Sequence, residues 1–453
     1  MGCGLSREKD AGSGPRRRPG SVGEVVVFLP GLRVPRSVDF SQALAGRLDR
    51  GAVEKLSSLR ARVVDMAMQE SAAALKPKRR AAARHGSSTA NLLQALDDYL
   101  PVLLGLVKEG SELRHRVQFV WTNQEDNAEE TAMADAWPIL CFFPGHTVMV
   151  MRQGFLKENV RDLLSIEFTS FSVFVLIMHH VLPMYTESRR ATVDVFLKAS
   201  GYLDCAIRQV LPQMSSELRR QLPVDLAEGN LKVLSLQALG QGVDMQLGLA
   251  IDSPKATLAV KRRLACEMVK YWHQIQESIP EIPVSDGWGK KHLLFVKWKY
   301  VEAKAAAYYF HGLILDEGNT EKSHGMAVAA LQASEEFLKE SKRASEAFHA
   351  TPPTSRQDIL PFEHFTFQIF LCFTLSIRTL QRWSPTLFGT AKYMLDKIPK
   401  DASSKVKINQ DLYTQERVIG TPPPLPDFAL ALKPDDYDLP PLDPLWNKED
   451  GRQ

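Results

Sequence analysis

The chain has 453 residues, 44% of them hydrophobic and 24% charged, with a formal net charge of +3. That is ordinary globular composition with room for one large core or two to three domains, and it excludes both a disordered chain and a nucleic-acid-binding surface spread over the protein. The five cysteines (Cys3, Cys141, Cys205, Cys266, Cys372) are scattered and odd in number, which points to reduced thiols. The longest largely apolar run, Phe171–Met178, has eight residues, far short of the ~20 that a spanning helix needs.

The chain opens Met-Gly-Cys-Gly-Leu-Ser. With Met1 removed, Gly2 and Ser6 fit the pattern for amide-linked myristate, and Cys3 stands where a palmitoyl thioester commonly follows. One myristoyl chain binds membranes only marginally, so a second signal is needed. Cys3 offers one. Arg7, Lys9, Arg16, Arg17 and Arg18 offer another, each basic group near an anionic leaflet contributing about 1 kcal/mol. Residues 1–20, rich in Gly, Arg and Pro, are expected to form a lipidated basic tether.

Val25–Leu29, bounded by Gly23 and Pro30-Gly31, predicts a short buried strand, with another around Leu32–Val34. Helical periods follow. Leu56, Leu59, Val63 and Met66 mark one apolar face, and Leu92, Leu96, Tyr99, Leu103 and Val107 the next, with Pro101 inside it. The basic stretch Lys76–Ser88 between them is read as a solvated loop, and the acidic run Glu125, Asp126, Glu129, Glu130 as a loop and helix start. Phe196, Ala199, Leu203, Ala206 and Val210 define a helix ending near Pro212. Asp225 with Glu228 resembles a capping box opening a helix through Leu231, Leu234 and Ala238.

Val260, Leu264, Met268, Tyr271 and Ile275 share a further helical face. Leu294, Trp298, Val301, Ala305 and Tyr308, then Met326, Ala330, Leu331, Ser334, Phe337 and Ser341 after the turn Asp316–Thr320, read as a tetratricopeptide-like hairpin in which small residues let the backbones approach. The period is not strict. The fold class expected is mainly α, an irregular α-solenoid with a small N-terminal β element, whose concave side is a natural groove for a partner helix. Thr421–Trp446 alternates eight prolines with Phe428, Leu430, Leu432 and Tyr437, which predicts an extended arm docked along the solenoid; the rival reading is an SH3 ligand at Pro422–Pro426.

Catalysis needs converging nucleophile, base or metal ligands, and the sequence offers none. His179-His180 lacks helical metal-site spacing, Cys205 and Cys266 lie on predicted helix faces, and Gly240 and Gly242 belong to no phosphate loop. His311, behind Tyr308, Tyr309 and Phe310, is read as structural. The expectation is a protein that is not an enzyme and carries no cofactor or metal.

Three segments carry a family resemblance: the block Phe295–Phe348, the segment Val193–Pro212, and Ile408–Val418 before the proline-rich arm. They resemble the Bro domain of the Alix and Brox adaptors, and the lipid motif and length look most like the plant endosomal-targeting Bro-like proteins. The resemblance implies a banana-shaped helical domain over residues 21–446, followed by a polar tail at 447–453. It further implies a non-enzymatic adaptor of endosomal sorting that binds the C-terminal amphipathic helix of ESCRT-III subunits of the Snf/CHMP type. The family's apolar patch then falls on Ala238–Ala250 and Thr257–Trp272, with Val260 and Leu264 at patch positions and Asp244, Met245 and Leu247 competing for the earlier one. With Gly2 and Cys3 lipidated, the expected address is the cytosolic face of endosomal or plasma membrane, without nucleic acid. A lipid-anchored scaffold for another signalling or trafficking partner is the alternative. Residues 138–186 and 357–383 break the family pattern and hold 11 of the 21 Phe, a composition expected of an alternative transcript or read-through of non-coding sequence.

Overall fold

The structure is a computed structural model that describes residues 33–74, 82–106, 113, 116–123, 129–133, 186–222, 224–279, 288–318, 320–351, 389–408 and 421–448. The lipidation motif, the strand expected at Val25–Leu29, His179-His180 and nearly all of the two atypical stretches lie outside these residues. Three strands, β1 (Arg33–Pro35), β2 (Gln118–Asn123) and β3 (Glu129–Met133), form an antiparallel sheet in that order. Arg33 faces Asn123 across one ladder and Gln118 faces Met133 across the other. The first strand falls where Leu32–Val34 predicts it. Glu129 and Glu130 belong to β3, which corrects the helix start expected there: ladder pairing with Thr122 and Trp121 overrides a weak local helix preference.

The rest is helical: α1 (Phe40–Ala43), α2 (Arg50–Ala74), α3 (Ala82–Leu106), α4 (Thr186–Cys205), α5 (Ser216–Arg220), α6 (Glu228–Asp252), α7 (Leu258–Ser278), α8 (Trp288–Asp316), α9 (Glu321–Ala350) and α10 (Gly389–Ile408). Helix α3 begins at Ala82, inside the stretch Lys76–Ser88 expected to be a loop. Its Ala-Ala-Arg start has strong helix propensity, which the basic charge masks. Pro101 sits within the same helix. Helix α4 passes through a π turn (Ala206–Val210) and a 3-10 turn (Leu211–Gln213) before ending, as Pro212 anticipates. The capping box expected at Asp225 and Glu228 is not formed. Asp225 lies in a 3-10 turn, Glu228 is the first helical residue, and Ala227 caps α6 without a side-chain bond.

Two apolar clusters share α6. Leu231, Leu234, Ala238 and Met245 face the N-terminal cluster with α1–α4 and the sheet, whereas Val233, Leu239, Val243 and Leu247 face the C-terminal cluster with α7–α10. A helix covered on opposite sides keeps no polar face, and even Asn230, Gln237 and Asp244 of α6 are buried. At the N-terminal end, Arg60 of α2 lies over the rings of Phe119 and Trp121, 5.3 and 4.7 Å from their centroids, and donates to the carbonyl of Arg36 at 3.0 Å, tying α2 to the sheet.

At the other end α8 and α9 pair as the expected hairpin. Ala303, Ala305, Ala306 and Ala307 of α8 are buried, and Ser334 Oγ of α9 donates to the carbonyl of Ala305 at 2.7 Å. Thr320 and Ser323 cap α9 reciprocally. The arm, residues 421–448, is extended until a final 3-10 turn (Pro444–Lys448) and crosses the helices in reverse order, from α8 back to α2.

Candidate docking edge on α7 and the arm beside it

Helix α7 starts at Thr257, whose Oγ1 accepts from the Val260 amide at 3.4 Å. This cap places Val260 in the first turn, where it is 47% exposed, one of three large apolar side chains so exposed among the described residues. Leu264, one turn on, is half-buried against the C-terminal cluster. Lys255, Lys261 and Arg263 stand around this edge, and α7 carries no acid before Glu267. Chemically it is a small apolar ridge in a basic collar.

The three candidates on α6 are all buried. Met245 is 7% exposed in the N-terminal cluster and Leu247 is fully buried in the C-terminal one. Residues two apart on a helix lie about 200° apart, so they belong to opposite cores, and neither is exposed beside Val260. Asp244, just before them in the chain, joins a buried ionic group. Lys299 of α8 lies 3.6 Å from Asp244 and 3.0 Å from Glu302. Burial opposes the Lys299 charge, but Glu302 and Asp244 outweigh it and hold its pKa above the usual lysine value; burial likewise raises Glu302. Of the expected patch residues, only Val260 and Leu264 come together at the surface.

The flank of α7 beside the ridge is taken by the arm. The amides of Ala431 and Leu432 both donate to Glu267 Oε1, at 2.6 and 2.8 Å, and Glu267 is 1% exposed. Tyr271 donates to the carbonyl of Leu432 at 2.6 Å, Lys270 bonds the Phe428 carbonyl and Asp427, and the Arg262 guanidinium lies 5.8 Å from the Phe428 ring. His311 of α8 meets Arg262 and the backbone of Pro424; burial, then the Arg262 charge, lowers its pKa. Pro423 is buried while Pro422 and Pro424 are exposed.

Farther along, the Asp435 amide donates to the Leu197 carbonyl of α4 at 3.1 Å. Gln209 takes Asp438 and the Leu439 amide, and Lys55 of α2 pairs with Asp443 at 2.7 Å. Burial pushes the Asp443 carboxyl up, but the Lys55 and Leu445 hydrogen bonds prevail and hold it below the usual value. Three helix glycines explain why the arm can lie so close. A Cβ at Gly105 of α3 would overlap the Trp446 indole, one at Gly201 of α4 would overlap the Asp435 carbonyl oxygen, and one at Gly242 of α6 would stand 3.0 Å from Leu432. Gly105, Gly201 and Glu267 carry no expectation in the sequence, and Gly242 only that it belongs to no phosphate loop; an unexplained glycine in mid-helix is the available signal.

Cys205 and Cys266 are buried free thiols, each pushed up to about 11 by burial. Among the described residues there is no group of three side chains suited to a metal, and no helix is long and apolar enough to cross a membrane.

No family model matches the chain, and no curated protein matches it. Solved structures do. ALIX in complex with the SIVmac239 PYKEVTEDL late domain superposes with a TM-score of 0.56 at 16% identity, over 94% of this chain and 50% of that one, so this chain spans half of that ALIX chain. A structure describing the basis for endosomal targeting by the Bro1 domain gives 0.55 at 14% identity, over 94% of this chain and 95% of the other. The ALIX BRO1 CHMP4C complex gives 0.54 at 15%, over 93% and 96%. The helical order, the sheet and these superpositions together identify the fold of the chain as that of the Bro1 domain.

Proposed function

We propose that this chain is a non-enzymatic adaptor of endosomal sorting that docks the C-terminal amphipathic helix of an ESCRT-III subunit of the Snf/CHMP type along α7, and that lipid on Gly2 and Cys3 holds it to the cytosolic face of a membrane. The observation that carries this reading is the Val260–Leu264 ridge: an exposed valine above a half-buried leucine, one turn apart, with Lys255, Lys261 and Arg263 beside it in the chain. Such an edge suits the apolar face of a helix with acidic flanks. A Bro1-domain fold whose solved examples include a complex with CHMP4C supports the class of partner. The open groove between α8 and α9 is lined by Lys297, Glu336, Lys339, Glu340 and Arg343 over Leu294 and Ala344.

The test is binding of a labelled C-terminal helix peptide from an ESCRT-III subunit to the whole chain by fluorescence anisotropy. The expected result is saturable binding that Val260→Asp and Leu264→Asp each weaken at least tenfold. Absence of binding by the intact chain refutes the partner, and binding indifferent to both substitutions refutes the site.

A further inference from the structure

We propose that the arm is a detachable clamp that holds α7 where its Val260–Leu264 edge can accept a partner helix, so that arm docking and partner binding strengthen one another. This rests on the docking reading above. The arm engages α7 through Arg262, Glu267, Lys270 and Tyr271, which interleave with Val260 and Leu264 over the same three to four turns. Of these, Glu267 matters most. It is buried, and its hydrogen bonds come from the two arm amides.

When the arm leaves, the Glu267 carboxylate loses both donors, and Tyr271, also buried, loses its acceptor. Water then takes the place of the arm on these groups, and α7, without the arm's hydrogen bonds and packing along that flank, is held less firmly in its position and turns or lifts more readily. A helix moves as a unit, and Leu264 stands less than one turn from Glu267. The clamped position of α7 is therefore favoured by the arm and, on the other side, by the partner. Coupling of this kind is reciprocal. A protein that peels the proline-rich start of the arm away lowers partner affinity, and bound partner slows arm release.

The arm can be loosened without touching α7. Gly201→Ala sets a methyl against the Asp435 carbonyl on α4. Gln209→Ala, milder, removes the bonds to Asp438 and Leu439. Arm docking is read in the full chain by hydrogen exchange at Ala431, Leu432, Asp435 and Leu439, and affinity by anisotropy with the ESCRT-III helix peptide. The clamp predicts faster arm exchange in both variants, with affinity falling in the same order by a factor in the usual allosteric range, about 5- to 150-fold. It also predicts slower arm exchange in the wild-type chain saturated with peptide.

Faster arm exchange with affinity within about twofold of wild type overturns the clamp, a difference too small for a coupling of the usual size. Unchanged arm exchange in both variants overturns it as well, because the arm is then not held as described. If the wild-type chain binds no peptide, the docking reading fails separately, and exchange of the α7 amides from Leu264 to Tyr271 in Gly201→Ala decides the clamp: acceleration supports it and no change overturns it.

Discussion

Gly105→Ala puts a number on the grip of the arm. Gly105 is buried near the C-terminal end of α3, and a methyl there cannot coexist with the Trp446 indole. Truncating a fully buried Trp costs about 3–5 kcal/mol; Trp446 is partly buried, so about 2 kcal/mol is at stake when the indole is driven off. The bond from Trp446 Nε1 to the Val102 carbonyl, 3.1 Å, adds about 1 kcal/mol. Alanine returns up to about 1 kcal/mol over glycine within a helix. The expected net effect is a destabilisation of about 2 kcal/mol. In a Trp446→Ala background nothing opposes the methyl, and the same change should be neutral or stabilise by up to about 1 kcal/mol. Urea unfolding of the four proteins closes a double-mutant cycle with an expected coupling of about 3 kcal/mol. A Gly105→Ala protein as stable as wild type, or a coupling below about 0.5 kcal/mol, refutes the argument that this glycine exists for the arm.

His292 is fully buried beside Gln237, at 2.9 Å, and burial takes its pKa down from 6.5 to about 4. Its folded pKa is depressed for a base, so the associated stability is complete above pH 6.5 and is lost as pH falls toward 4, by about 3 kcal/mol in all; unfolding midpoints of His292→Gln should be flatter across that window, and parallel curves would refute it. Lys299→Met leaves Asp244 and Glu302 buried without their counter-charge and should cost about 3–5 kcal/mol in urea unfolding. Restoring stability with Asp244→Asn and Glu302→Gln together would confirm the cause. Gly2→Ala should move the protein from the membrane pellet to the soluble fraction, and Cys3→Ser should weaken retention with myristate intact; unchanged partition of both would remove the lipid anchor from the proposed function.

The periodic helices were legible because each buries one face. Leu264, Met268, Tyr271 and Ile275 on α7 are spaced three or four apart, and the structure buries them in one cluster with only Leu264 toward its margin. Helix α6 defeated the same logic. Its apolar and small residues cover every side because two cores share it, so no period tells a surface methionine from a core one, and the pattern leaves Asp244, Met245 and Leu247 equal candidates for one patch position. The arm was legible as an extended, apolar segment, since prolines alternating with Phe428, Leu430 and Leu432 can bury only in contact with something else. Its path was not, because the residues that receive it are spread from Lys55 to His311.

What marks the path is a set of losses. Gly105, Gly201 and Gly242 each sacrifice helix stability, and Glu267 is a buried carboxylate that takes two amides of the arm. Each looks like a defect within its own helix and is accounted for only when the arm is laid across all of them. A chain that gives up local stability at four distant sites for one segment ties that segment to the alignment of the helices it crosses. The α7 ridge, between the arm and the C-terminal core, inherits its position from both.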